Sequence, residues 1–160
     1  MFYGPPVAKR HLDIYKRIQK GWFPVFGTGE YRRSLTYIDN LVQAIHLALQ
    51  KEKLEGQTYT IIDREIPTLT DIIKTMAGEL GRDVKIVRFP KWMAVTAETL
   101  DNLLSKLGIY WMLPHIIGES CKHIAYRIEK AELELQYHPS VNYKEGYRRT
   151  IQWCREQGLI

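Results

Sequence analysis

Two glycines and two arginines in "PVFGTGEYRRSLTYIDN", residues 24–40, have types and a spacing that suggest chemistry. Gly27-x-Gly29 follows an apolar run, as the phosphate loop of a dinucleotide site does. Such a site needs a third glycine and a helix that starts within the motif, because the N–H groups at the helix N-terminus bind the pyrophosphate. Arg32 stands at the third glycine position and "RRSLTYI" alternates like a strand. We therefore predict no bound cofactor at this loop.

The same loop is suited to binding an anion. Two glycines permit a tight turn, and Arg32 and Arg33 lie directly after it. A guanidinium holds a diphosphate or a carboxylate through two parallel hydrogen bonds. The residues alone are equally compatible with two exposed charges at the edge of a strand.

A tyrosine and a lysine four residues apart form a second pattern with catalytic spacing. Tyr126 and Lys130 match the Tyr-x-x-x-Lys of an acid/base tyrosine whose pKa is lowered by its lysine. That chemistry needs a nicotinamide beside the tyrosine, and nothing earlier in the chain supplies a site for one. We expect a surface pair and assign no catalytic residue.

Other catalytic and metal-binding patterns are missing. The sequence contains no HExxH, GxSxG or P-loop motif. Its five histidines are scattered, and we expect His46, on an apolar helix, to be buried and hydrogen-bonded. Cys121 and Cys154 form no CxxC or zinc pattern, which indicates two reduced thiols and no metal site.

Composition restricts the class of protein further. The chain has 160 residues, enough for one domain with a real core, and a net charge of +5. Its densest basic stretch, residues 8–21, has the spacing of an amphipathic helix with a solvated face, and no nucleic-acid-binding motif accompanies it. No apolar run approaches the ~18 residues of a membrane span. We expect a cytoplasmic protein without a membrane or nucleic-acid partner.

Apolar periodicity and turn residues predict a mixed order of short strands and helices. The predicted strands are "WFPVF", "SLTYI", "QTYTIID" and "VKIVRF", with "FYGPP" as a short extended piece. The predicted helices span residues 8–21, 39–51, 68–80, 91–107, 128–135 and 144–157. This order indicates one α/β unit with a helical C-terminal third.

Two helix starts carry capping signals. Asp39 is predicted to be the N-cap of a helix that is apolar around nearly its whole circumference and therefore buried. Thr68 and Asp71 form a variant of the capping box before a helix with one apolar face.

Several fragments, taken in order, resemble extended short-chain dehydrogenase/reductases, the NAD-dependent epimerase/dehydratase family. "FYGPP" looks like the family's Tyr-Gly-Pro segment. "PVFGTGEYRRSLTYIDNLVQA" resembles its pvfG-x-G-x-x-x-R-s-x-x-Y-V-D-[DN]-l-v-x-A stretch, and "RIEKAELELQYHPSVNYKEGYRRTIQW" resembles its closing segment. The resemblance covers the whole chain.

The resemblance implies the C-terminal, substrate-binding part of a Rossmann-type enzyme, with few short strands and no N-terminal nucleotide-binding half. That missing half would carry the glycine-rich loop and the catalytic tyrosine and lysine. We therefore expect a single substrate-binding domain over residues 1–160, part of a larger NAD(P)-dependent enzyme. NAD or NADP would bind the intact parent and not this chain alone. The chain alone should be inactive and should self-associate through the surface that the missing Rossmann half covers.

The resemblance also assigns candidate substrate contacts. In the family, the Pro-Val-Phe segment and the arginine after Gly-x-Gly line the substrate cleft, and the Tyr-Gly segment approaches from the other edge. The implied substrate-binding residues are Tyr3, Gly4, Pro24, Val25, Phe26 and Arg33.

Two departures from the family pattern affect the expected substrate. Gln136 stands where the closing segment usually has glycine, and the late Arg-x-Gly-Asp that often holds a diphosphate is not evident. The first hypothesis is the substrate-binding portion of a nucleotide-sugar epimerase/dehydratase or related alcohol dehydrogenase. The alternatives are a 3-beta-hydroxysteroid-dehydrogenase-like oxidoreductase acting on an apolar alcohol, and a free-standing module that binds a ligand or a protein without catalysis.

Overall fold

Helices dominate the computed structural model, which describes residues 2–160. In chain order the elements are β1 (Phe2–Tyr3), α1 (Lys9–Gln19), β2 (Trp22–Phe26), β3 (Thr36–Tyr37), α2 (Ile38–Leu49), α3 (Leu69–Glu79), β4 (Lys85–Phe89), α4 (Lys91–Lys106), α5 (Met112–Ser120), α6 (Glu129–Leu135) and α7 (Tyr143–Glu156). The predicted α/β class with few short strands and a helical C-terminal third is confirmed.

The strands form two separate parallel pairs. β1 pairs with β3, with Phe2 opposite Thr36 and Tyr3 opposite Tyr37. β2 pairs with β4 over five positions, from Trp22 opposite Lys85 to Phe26 opposite Phe89. Parallel neighbours need long crossovers, and helices α1 and α3 lie within those crossovers.

Helices α1, α3 and α7 enclose the largest core cluster. Helix α1 buries Tyr15 and Ile18 and exposes its lysines and arginines, as predicted from the spacing. The predicted capping box fixes the start of α3: Thr68 Oγ1 accepts from Asp71 N at 3.1 Å, and Asp71 Oδ2 accepts from Thr68 N at 3.1 Å. Ile73 of α3 is fully buried in this cluster.

The prediction for α2 is wrong in two respects. The helix buries only Asn40 and Ala44, while Leu49 is 81% exposed, because the other described elements cover one side of it. Its N-cap is Tyr37, which has the extended backbone of β3, so Asp39 lies in the first turn with Oδ2 3.5 Å from Arg149 Nη1. Asp39 therefore complements the positive helix end without capping it.

Three further predictions differ from the structure. "QTYTIID" forms no strand, because isolated backbone hydrogen bonds, such as that from the Asp63 N–H to the Leu35 carbonyl at 2.7 Å, join it to its neighbours in place of a regular ladder. Helix α5 was not predicted. His46 is hydrogen-bonded to Gln50 at 2.9 Å but exposed, since it lies on the open side of α2.

No helix among residues 2–160 is both long and apolar enough to cross a membrane.

Candidate functional site: an apolar cavity with a cationic wall

A cavity of about 600 Å³ opens between α1, α3 and α5, with β1 and α7 contributing to its wall. We call it the central cavity. Its apolar lining consists of Phe2, Tyr3, Ile14, Tyr15, Phe23, Leu35, Leu69, Ile72, Ile73, Met76, Ile116, Ile124 and Tyr147. Its polar lining consists of Arg10, His11, Arg33, Ser34, His115, Glu119 and Ser120. Most of the lining surface is apolar, as in sites for organic ligands.

The apolar wall follows from helical periodicity. Leu69, Ile72, Ile73 and Met76 recur at helical spacing along α3, so one face of the helix supplies much of the lining. The capping box at Thr68 fixes where that face begins.

Arg33 supplies a positive charge on the wall. Its Nη2 donates to the Glu119 carbonyl at 2.5 Å, and its backbone N–H donates to the Pro67 carbonyl at 2.9 Å. Burial lowers the pKa of Arg33, and the nearby Glu119 carboxylate raises it. A guanidinium stays protonated under such shifts, and the donors not engaged by Glu119 remain free to bind an anion.

His11 is a site residue that sequence analysis missed. It is 8% exposed, and its Nε2 has no hydrogen-bond partner among residues 2–160. Burial, assisted by the charge of Arg10, lowers the pKa of His11, so the imidazole is neutral at neutral pH. Its spacing of four and seven residues from Tyr15 and Ile18, on the apolar face of α1, is the signal that could have identified it.

Tyr3 contributes its ring to the wall while its hydroxyl is engaged elsewhere. The hydroxyl donates to Asp63 Oδ2 at 3.1 Å, and the ring stacks on Tyr147 with centroids 4.6 Å apart. Burial, together with the Asp63 charge, raises the pKa of Tyr3 far above its ordinary value. Tyr3 therefore stays protonated and acts through its ring.

Asp63 and Asn40 form a buried polar centre behind that wall. Asp63 Oδ1 accepts from the Tyr37 N–H at 2.9 Å and from Asn40 Nδ2 at 2.7 Å. Asn40 Nδ2 also donates to the Val141 carbonyl at 2.7 Å, and its Oδ1 accepts from the Val141 N–H at 3.1 Å. These bonds join β1, β3, α2 and the segment before α7, so they hold the cavity wall in place.

The Gly27–Gly29 loop is packed closely against neighbouring side chains. Both glycines have positive φ, and a Cβ on Gly27 would overlap the Tyr31 hydroxyl. A Cβ on Gly29 would come within 3.0 Å of Val25 Cγ1. After the loop Arg32 is bridged to Thr68, the N-cap of α3, and the Thr70 N–H donates to the Gly29 carbonyl at 3.1 Å. The helix that starts beside the loop is therefore α3, about 40 residues later in the chain, and not a helix that begins within the glycine motif.

Of the six predicted substrate-binding residues, two line the central cavity and four lie outside its lining. Tyr3 and Arg33 line the central cavity. Gly4 packs beside Tyr37 and Ile38, Val25 is buried in the core, and Pro24, Val25 and Phe26 belong to β2 and lie outside the cavity lining.

Lys130 contacts residues of the segment before α3, and Tyr126 lies at the surface. Lys130 Nζ donates to Gln57 Oε1 at 2.8 Å and lies 4.7 Å from the centre of the Tyr59 ring. Tyr126 is 55% exposed and precedes α6. Within residues 2–160, no group of three or more His, Cys, Asp or Glu side chains is arranged to hold a metal ion.

Sequence comparisons identify a family profile and several relatives that are similar to this chain. The profile of the "NAD dependent epimerase/dehydratase family" matches residues 2–61. The uncharacterized protein y4nL of Sinorhizobium fredii is 34% identical, over 98% of this chain and 46% of that protein. The sterol-4-alpha-carboxylate 3-dehydrogenase (decarboxylating) of Schizosaccharomyces pombe is 29% identical, over 74% of this chain and 37% of that enzyme.

A solved structure shows the same fold. The crystal structure of UDP-glucose 4-epimerase with UDP-glucose from Thermotoga maritima matches with a TM-score of 0.66 and 23% identity, covering 98% of this chain and 44% of that one. The chain thus spans less than half the length of these relatives and aligns with their C-terminal part. The chain belongs to the NAD-dependent epimerase/dehydratase family of extended short-chain dehydrogenase/reductases.

Proposed function

We propose that this chain is the substrate-binding part of an NAD(P)-dependent oxidoreductase whose substrate is a hydroxy acid with a large apolar body. The observation that carries the proposal is the central cavity, a mostly apolar space of about 600 Å³ with the partly buried Arg33 on its wall. The apolar body would fill the space between α1 and α3, where Ile14 and Met76 lie. Burial of its surface would supply most of the binding free energy.

Arg33 would hold the carboxylate. Its guanidinium is partly buried, which strengthens a charge-assisted hydrogen bond relative to one in water. The bond from Nη2 to the Glu119 carbonyl fixes the side chain in position before the ligand arrives. Arg33 would therefore orient the substrate and set its register along the cavity.

His11 would bind the hydroxyl or keto oxygen of the substrate. Its buried Nε2 lacks a partner, and an unsatisfied buried polar atom costs about 1–3 kcal/mol that a ligand hydrogen bond would recover. As a neutral imidazole it is able to donate to a ketone or to accept from an alcohol, depending on its tautomer.

The comparison with the sterol-4-alpha-carboxylate dehydrogenase supports this class of substrate, because that enzyme's name describes an apolar body bearing a carboxylate. The missing Arg-x-Gly-Asp motif weakens the case for a diphosphate. NAD or NADP in the intact parent is part of the proposal, and the cofactor would be held by the part of the relatives that this chain does not span. This chain's residues would bind and orient the substrate.

A nucleotide sugar is the second candidate. It is favoured by the fold shared with UDP-glucose 4-epimerase and by the position of Arg33, which would hold the diphosphate instead of a carboxylate. Substrate contacts by Gly4, Pro24, Val25 and Phe26 remain predictions and belong most naturally to this candidate, because its longer ligand would extend beyond the central cavity.

Calorimetric titration of the chain with matched ligands tests the choice. The ligands are 3-hydroxydodecanoate, its methyl ester, UDP and UDP-glucose. We expect the hydroxy acid to bind more tightly than the ester, which keeps the tail and loses the charge, and both to bind more tightly than the nucleotides. Tight binding of UDP-glucose together with no binding of the hydroxy acid would replace the first proposal by the second.

A further inference from the structure

The hairpin of α4 and α5 carries an unusual concentration of exposed apolar side chains. We define the hairpin tip as residues 103–113, the end of α4, the connection and the start of α5. Seven of its large apolar side chains are at least half exposed: Leu103, Leu107, Ile109, Tyr110, Trp111, Met112 and Leu113. Soluble monomers rarely expose a contiguous patch of this kind without a function for it.

The charge distribution of the hairpin is asymmetric. Lys106 is the one charged side chain of the tip, and it forms no ion pair within residues 2–160. The acidic side chains lie at the base and are engaged there: Lys122 Nζ is 2.8 Å from Glu98 Oε1, and His115 Nδ1 is 2.9 Å from Asp101 Oδ2. The tip therefore presents apolar and aromatic surface with a net positive charge.

We propose that the hairpin tip inserts into the surface of an anionic lipid bilayer. Tyr110 and Trp111 have the amphipathic rings that are enriched at membrane interfaces, and Lys106 matches the negative charge of anionic headgroups. Helix α4 has 16 residues and α5 has 9, so the two helices suit shallow insertion of their joined ends. A second copy of the chain, or the part of the relatives that this chain does not span, would cover apolar surface equally well but would gain nothing from Lys106.

The position of the central cavity also supports a lipid bilayer as the partner of the hairpin tip. Helix α5 continues from the tip into the cavity wall, where Ile116 lines the space together with Arg10 and Ile14 of α1. An apolar substrate, if the proposed function holds, would partition into a bilayer and reach the cavity from this side. Lipid binding by the tip does not depend on that substrate.

Vesicle flotation of the purified full chain tests the proposal. The vesicles are phosphatidylcholine alone or phosphatidylcholine with roughly 30% phosphatidylglycerol, enough to give an anionic surface. We expect binding to the anionic vesicles and a loss of at least about tenfold in the Tyr110→Ser/Trp111→Ser double variant. Lys106→Gln should weaken binding to anionic vesicles and leave any binding to neutral ones unchanged.

The matched control is Leu49→Ser/Leu133→Ser, which removes two apolar side chains that are each 81% exposed on α2 and α6. It should bind vesicles as the unaltered chain does. The proposal is wrong if the chain stays in solution with both vesicle types, or if the control loses as much binding as the tip variant. It is also wrong if sedimentation shows a dimer that the tip substitutions dissociate while vesicle binding is unaffected.

Discussion

The hydroxyl of Tyr3 donates a hydrogen bond to Asp63 Oδ2 at 3.1 Å, which joins the first strand to a segment 60 positions later in the chain. Asp63 is fully buried and accepts two more hydrogen bonds, from the Tyr37 N–H and Asn40 Nδ2. The same tyrosine ring lines the central cavity, so the polar centre and the apolar site share a wall.

Replacing Asp63 tests how that centre is stabilised. Asp63→Asn keeps an oxygen for Tyr37 and Asn40 and offers an N–H to the Tyr3 oxygen, so we expect a change within about 1 kcal/mol. Asp63→Leu removes the shared acceptor of three buried donors, leaves the Tyr37 N–H without one, and should cost about 3 kcal/mol or more. Urea unfolding of the two variants measures the difference, and equal losses would contradict this account.

The pH dependence of Asp63 has a definite sign. Burial raises its pKa above the ordinary 3.8, although its three hydrogen bonds lower it. A raised carboxyl pKa means that the folded state binds the proton more tightly than the unfolded state. The stability of the unaltered chain relative to Asp63→Asn should therefore fall as pH rises above 3.8, through the folded pKa. Unfolding midpoints measured over that range check the trend.

Asn40→Asp should be far more damaging than a change at its neighbour. It removes the Nδ2 that donates to Asp63 and to the Val141 carbonyl, and it places a second carboxylate beside a buried first one. We expect a loss of at least about 3 kcal/mol. Asp39→Asn, at an exposed position 3.5 Å from Arg149, should change stability by less than about 1 kcal/mol. Similar losses for the two variants would show that the buried centre matters little.

The helical glycines offer another matched pair. A Cβ on Gly146 of α7 would overlap the Tyr3 hydroxyl and approach Tyr37 Cδ2 to 2.9 Å, whereas a Cβ on Gly78 of α3 would meet nothing within 4 Å. Gly146→Ala should destabilise by about 1–3 kcal/mol through overpacking. Gly78→Ala should stabilise by about 0.5–1 kcal/mol through helix propensity. Thermal unfolding measures both, and destabilisation by both would argue against the close packing at Gly146.

His11→Leu should separate stability from binding. Removing an unpartnered buried nitrogen should leave stability at pH 7 unchanged or raised by up to about 2 kcal/mol. Because burial lowers the pKa of His11 below 6.5, stability is fully present above that value and is lost as pH falls. The advantage of His11→Leu should therefore grow as pH falls below 6.5, while its affinity for 3-hydroxydodecanoate falls. A variant with lower stability and unchanged affinity would contradict the role of His11.

The parts of the fold that local chemistry determines were predictable. The capping box at Thr68 and the strands "WFPVF" and "VKIVRF" were predicted from short-range patterns, and the structure contains them. Helix α2 and "QTYTIID" were mispredicted, because burial and strand pairing depend on which neighbours are present and not on the segment itself.

The candidate site was predictable only in part. The motif that carried the resemblance included Tyr3 and Arg33, which line the cavity. His11 was missed because it lies in a helix whose sequence is dominated by lysines and arginines. Its burial results from α1 packing on the core, and the cavity that it lines is completed by α5, which starts about 100 residues later in the chain.

The most direct test of the central claim compares two adjacent arginines. Arg33 lines the cavity, whereas Arg32 is exposed outside it, so Arg33→Gln and Arg32→Gln remove the same charge from the chain. Calorimetric titration with 3-hydroxydodecanoate should show a loss of about 2 kcal/mol, roughly thirtyfold in affinity, for Arg33→Gln. Arg32→Gln should bind as the unaltered chain does. Equal affinity of both variants, or an equal loss in both, would show that Arg33 does not hold the substrate carboxylate.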